Sequence, residues 1–98
     1  MEPKLPPAPP KKHELKTQPK TFEALGKGRN YDVRKNDRDF AEGDTVIFRE
    51  WSYLKNEYTW KVKIATVTSV LLFTEIPGYG EMPAFNWCAI GLKFQKNA

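Results

Sequence analysis

From Asn30 to Lys35 the chain reads NYDVRK, with apolar and polar positions in alternation. A strand turns successive side chains to opposite faces, so Tyr31 and Val33 share one face, and Asn30, Asp32 and Arg34 the other. Thr45 to Trp51 is the next strand. Val46 and Phe48 share a face with Glu50, while Ile47, Arg49 and Trp51 take the other. Large apolar groups on both sides suit a strand covered on both faces for part of its length. Tyr58, Trp60, Val62 and Ile64 alternate with Thr59, Lys61, Lys63 and Ala65, the clearest strand pattern in the chain. Lys55-Asn56-Glu57 between these runs reads as a hairpin turn, and Trp51 and Trp60 flank it near the positions of cross-strand aromatic partners. Thr66 to Leu72 continues in strand formers after a bend or bulge. Trp87 to Phe94 (WCAIGLKF) is the last strand.

Ahead of these runs, HELKT reads as a short strand with Glu14 and Lys16 opposite Leu15. Thr17-Gln18-Pro19 marks a helix start, since Thr17 or Gln18 can cap and proline suits a first turn. The helix carries Phe22 and Leu25 one turn apart and stops at Gly26 or Gly28. So short a helix cannot stand alone, and Phe22 and Leu25 must pack on the sheet. Asn36 to Asp39, Gly43-Asp44, and the segment containing Pro77-Gly78-Tyr79-Gly80 and Pro83 are turns and connections. The pattern predicts an α+β, mainly β fold: a small barrel of five or six strands with one or two short helices.

Composition sets bounds on this picture. Ninety-eight residues allow one domain, and residues 1–12, with five prolines and no aromatic, read as a disordered tail preceding a domain over residues 13–98. The net charge of +4 divides evenly, because Glu2 against Lys4, Lys11 and Lys12 leaves +2 in the tail. A domain at +2 permits nucleic acid or an acidic partner without demanding either. Cys88 is the single cysteine and His13 the single histidine, which argues against a disulfide and against a metal site. No run is long enough to span a bilayer, and the first residues lack the apolar stretch of a secretory signal, so a cytoplasmic, monomeric protein without cofactors is expected.

Candidate chemistry is sparse. GKGRN lacks the later positions of a phosphate loop, Cys88 sits in an apolar strand as a core thiol, and Asp37 and Asp39 lie among Lys35, Arg34 and Arg38 as solvated charge. The polar side of the sheet is richer. Asp32 and Arg34 project together, Arg49 projects beside Trp51, and Lys16 stands at the strand-to-helix junction. Cations and a carboxylate near aromatic rings suit an anionic, planar ligand; a set of surface salt bridges is the alternative.

HELKTQP, a Phe-Glu-Ala helix, YDVRKNDRDF and GDTVIFREW together resemble the activating signal cointegrator homology (ASCH) domain, closest to small bacterial and phage proteins of unassigned function. The resemblance runs from His13 to about Leu71, and WCAIGLKF fits the family's closing strand. It implies a PUA-like open pseudo-barrel binding RNA or modified nucleosides between barrel and helix. Carried over to this chain, Lys16 and Thr17 line the cleft at the helix N-terminus. Arg29, Asp32 and Arg34 take the family's Lys-x-x-Glu-x-Arg places, and Arg49 and Trp51 come from the REW strand. One enzymatic branch hydrolyses acetylated cytidine with a threonine nucleophile, a lysine and a glutamate. Here Asp32 stands at the threonine's place and Arg29 at the lysine's, and an arginine cannot act as a lysine-like base.

The expected function is therefore an RNA, nucleotide or modified-nucleoside binding module, with Lys16, Thr17, Arg29, Asp32, Arg34, Arg49 and Trp51 as binding residues and none as catalytic. The alternatives are a protein-binding regulator, such as a phage product acting on a host protein, and a nucleoside amidohydrolase or ribonuclease.

Overall fold

The computed structural model describes residues 9–78 and 86–95; most of the proline-rich tail, and the Tyr79–Gly80 and Pro83 part of the irregular connection, lie outside them. Five strands, β1 (Lys12–Thr17), β2 (Tyr31–Lys35), β3 (Thr45–Ser52), β4 (Glu57–Leu72) and β5 (Trp87–Phe94), form one sheet in the order β1-β3-β4-β5-β2. The sheet curls into a half-barrel. β3, β4 and β5 make an antiparallel meander, β1 joins β3 in parallel, and β2 closes on β5. A parallel neighbour needs a crossover, and the helix α1 (Pro19–Ala24) with β2 supplies it between β1 and β3. No helix among the described residues is long and apolar enough to cross a membrane.

The concave side of the curl is the core. Leu15, Val46, Phe48, Val67 and Ile90 line it, and Phe22 and Leu25 pack into it from α1. Full burial of each such side chain contributes about 1.5–3 kcal/mol, which is what holds a helix of six residues in place. Gln18 is its N-cap, without a side-chain capping bond, and Leu25 is its C-cap. Lys63 reaches across from β4 and donates to the carbonyls of Phe22, Glu23 and Leu25, so one ammonium satisfies the last turn. Burial, then the charge of Lys27, push the Lys63 pKa below the ordinary lysine value. Beyond the helix Gly26 turns the chain at φ +81°, where a Cβ would sit 3.5 Å from the Phe94 ring. That turn delivers Arg29 to the rim of the sheet.

Two alternations run opposite to a simple inside-apolar rule. In β2 it is Asp32 that points inward, while Tyr31 and Val33 are exposed. In β4 the apolar set Tyr58, Trp60 and Val62 faces outward, and Ala65 and Val67 reach the core. β4 is one long strand bent twice. Its register against β5 shifts between Val67 and Ser69, and its register against β3 shifts between Arg49 and Trp51. At the second shift Trp51 pairs with Tyr58, the rings meeting edge-on at 4.8 Å, so Tyr58 and not Trp60 is the cross-strand partner.

A second buried polar group ties the start of the fold down. Asp44, 2% exposed, accepts hydrogen bonds from the Lys11 and Ala41 backbone N–H groups and from His13 Nε2 at 2.8 Å. His13 itself is buried against Phe40, with ring centroids 4.7 Å apart. The histidine beside the tail is thus a core residue, and ordered pairing already begins at Lys12.

Candidate functional site

The edge strands β1 and β2 are not paired with each other. The curl brings their ends together, and the Arg34 side chain spans the seam. Its Nε donates to Asp32 Oδ2 at 2.6 Å, its Nη2 to Thr17 Oγ1 at 3.2 Å, and both terminal nitrogens approach the Lys16 carbonyl oxygen at 3.4 Å. Thr17 Oγ1 in turn donates to the Leu15 carbonyl. Arg29 completes the cluster, with Nη2 3.1 Å from Asp32 Oδ1 and Nε donating to the Tyr31 carbonyl. Asp32, 3% exposed, therefore gives one oxygen to each guanidinium. An aspartate can be buried only when so compensated, and that compensation explains why β2 turns its polar face inward.

Outside this cluster the seam opens into a cleft of about 500 Å³. Its walls carry the cationic side chains of Arg29, Arg34, Lys35 and Arg38 against two carboxylates, Asp32 and Asp37, and Lys16 lines it with its backbone. Phe40, Tyr53 and Trp87 supply aromatic surface, and Gln18 and Thr21 come from α1. Lys35 and Arg38 are exposed, and their side chains make no hydrogen bond or ion pair among the described residues, so they stay available to an anion.

Of the residues singled out by sequence, the structure brings Thr17, Arg29, Asp32 and Arg34 into this cluster and sets Arg49 and Trp51 elsewhere. β3 turns Val46, Phe48 and Glu50 to the core, which leaves Arg49 and Trp51 on the convex side. There Arg49 donates from Nε and Nη2 to Glu14 Oε1 and holds that carboxyl below its ordinary value. Lys16 belongs to both places. Its carbonyl faces Arg34 across the seam, while its ammonium lies 3.9 Å from the centre of the Trp51 ring. A strand's strict alternation forces this division, because Lys16 and Thr17 are neighbours and must point apart.

Lys35, Arg38, Tyr53 and Trp87 were not legible as site residues. They come from the end of β2, the turn after it, a hairpin and the final strand, and no local spacing connects all four. The one usable signal was the exposed charge of the Asn36 to Asp39 turn.

The sequence pattern described as Domain of unknown function (DUF3850) matches residues 12–79. The chain belongs to this family. Every residue that lines the cleft of the DUF3850 domain lies within the match except Trp87, which enters from β5. No curated protein matches the chain.

Among the described residues no three metal-ligating side chains cluster. Cys88 is fully buried beneath the cleft strands, and burial, with Asp32 and Asp37 adding to it, pushes its thiol pKa up. A protonated, enclosed thiol reacts slowly. Cys88 should accordingly resist a thiol-specific disulfide reagent in the folded chain and react fully in denaturant, and fast labelling under native conditions would contradict the burial.

Proposed function

We propose that this DUF3850 domain is an ASCH-like member of the PUA-like superfamily and binds single-stranded RNA or a nucleotide in the seam cleft. The curled five-stranded sheet with a short helix at its rim supports the family assignment. The observation that carries the ligand is the excess of cations over carboxylates in a cleft that also holds Tyr53 and Trp87. Phosphates are drawn by Lys35 and Arg38, and bases stack on the rings. Asp32 does not spoil this field, because two guanidinium groups already neutralise it and the triad keeps a net positive charge. Its role is to hold Arg29 and Arg34 at fixed angles, so little side-chain freedom is lost when an anion docks. Arg29 Nη1 makes no hydrogen bond among the described residues and remains free to donate.

Both oxygens of Asp32 are taken by arginine, an arrangement suited to positioning and not to nucleophilic attack. The module is therefore read as a binder.

The test is a salt-dependent binding series with fluorescent decauridylate. Phosphate contacts release counterions, and each contact to a single strand contributes about 0.7 to the slope of log affinity against log salt. The Lys35→Ala, Arg38→Ala double variant should fold normally, bind several-fold more weakly at low salt, and show a shallower slope by roughly 1.4. Unchanged affinity and slope would place the phosphates elsewhere and overturn the cleft assignment.

A further inference from the structure

The convex side carries a feature that packing does not account for. Between the pairs Arg49–Val62 and Trp51–Tyr58, only Glu50 on β3 opposes Thr59, Trp60 and Lys61 on β4. The surplus residues bulge outward. Glu50 is nearly buried and accepts a hydrogen bond from Thr59 Oγ1 at 2.8 Å, which pins the base of the bulge. At its crest Trp60 has φ +71°, a left-handed backbone that bulky residues rarely adopt. Its indole is 86% exposed. A strained backbone that presents a tryptophan to solvent gains nothing for the core.

Trp60 also stands in a chemically consistent setting. With Arg49, Tyr58, Lys61 and Val62 it borders a second concavity of about 420 Å³, whose charged members are both cations. Arg49 meets Glu14 through Nε and Nη2, and its Nη1 makes no hydrogen bond among the described residues. The concavity is joined to the cleft by a chain of contacts. Arg34 approaches the Lys16 carbonyl, the Lys16 ammonium lies over Trp51, Trp51 meets Tyr58 edge-on, and Tyr58 borders the concavity with Trp60. An exposed ring flanked by cations is the arrangement that stacks a base while holding its phosphate.

We propose that Trp60 is a stacking platform for a further base of the single-stranded RNA whose neighbouring nucleotides occupy the seam cleft, so that the domain reads a strand running from cleft to bulge. The proposal rests on the cleft reading above. It makes the ligand an oligonucleotide and not a mononucleotide.

The experiment compares decauridylate and uridine monophosphate on the parent chain, Trp60→Ala, Trp60→Gly and the Lys35→Ala, Arg38→Ala double variant. Base–aromatic stacking of about 1–3 kcal/mol corresponds to a roughly fivefold to 150-fold loss, so Trp60→Ala should weaken the decamer within that range and leave the monophosphate unaffected. Trp60→Gly, which relaxes the left-handed backbone, should match it in binding while melting no lower than the parent; this separates lost stacking from lost folding. If Trp60→Ala and Trp60→Gly bind the decamer as the parent does while the double variant is weakened, the platform is wrong and the cleft stands. If the double variant is unaffected and only the Trp60 variants are weakened, the cleft reading fails and with it the strand path. A parent chain that binds no decamer at low salt overturns both and leaves the exposed indole to a protein partner.

Discussion

Asp44→Ala is expected to lower the unfolding free energy by about 3–5 kcal/mol, the range for removing one member of a buried hydrogen-bonded pair. The carboxylate holds the Lys11 and Ala41 backbone N–H groups and the His13 ring together at the root of β1. Alanine leaves the buried His13 ring and the two part-buried N–H groups without their acceptor, and the parallel pairing of β1 on β3 starts beside them. Set against a typical total of about 5–15 kcal/mol, the loss is large. Urea unfolding should show a lower midpoint with little change in slope. A loss within about 0.5 kcal/mol, as for an ordinary surface substitution, would mean that water replaces the carboxylate.

The same residue predicts a pH dependence. Burial pushes the Asp44 carboxyl up, but the His13 bond and the Lys11 and Ala41 N–H groups outweigh it, and its pKa lies below the ordinary aspartate value. A depressed folded-state pKa contributes stability that is fully present above the unfolded value of about 3.9 and is lost as the pH falls through the folded one. The gap between parent and Asp44→Ala should therefore be constant near neutrality and narrow below about pH 4. A gap that stayed constant into acid would show that the ionised form is not what stabilises the fold.

The second large effect is expected at the seam. Asp32→Ala leaves Arg29 and Arg34 facing each other without their shared carboxylate. Their side chains are 28% and 24% exposed, so water screens part of the repulsion, and the cost should be about 2–4 kcal/mol, below that of a fully buried pair. A double-mutant cycle with Arg34→Met, which keeps the stem and removes the charge, isolates the coupling. Once Asp32 is absent, Arg34→Met should cost markedly less than in the parent, with a coupling of roughly 1–3 kcal/mol. Strictly additive costs would show that Arg34 holds the seam through Lys16 and Thr17 alone. Amide exchange supplies a local readout, because a detached Arg34 frees the unpaired edges of β1 and β2 to open.

Much of the fold is legible in the residue pattern alone. Alternation in HELKT, NYDVRK, TVIFREW and WCAIGLKF marks four strands, and Gln18-Pro19 with Phe22 and Leu25 marks a helix that must pack on them. These are local properties: a period of two or of 3.6 is written in neighbouring residues. The grouping of Asp32 with Arg29 and Arg34 was legible for the same reason, since residues two or three apart on a turn and one strand stay near each other.

Which face of each strand meets the core was not. The alternation of β4 is as clear in the sequence as it is inverted in space. Period two says that Tyr58, Trp60 and Val62 share a side, and only the pairing with β3 and the bulge opposite Glu50 decide that this side is the convex one. Likewise Lys16, Arg49 and Trp51 read as companions of Arg34 because all are polar or aromatic on adjacent elements. The curl of the sheet separates them, joining Thr17 to Arg34 across the seam and leaving Arg49 with Glu14. The sequence by itself determined the strands, the helix and the charge they carry, because those depend on near neighbours. The tertiary structure alone decided which edges meet, and hence where the cleft lies, because closure of a curled sheet depends on contacts between residues far apart in the chain.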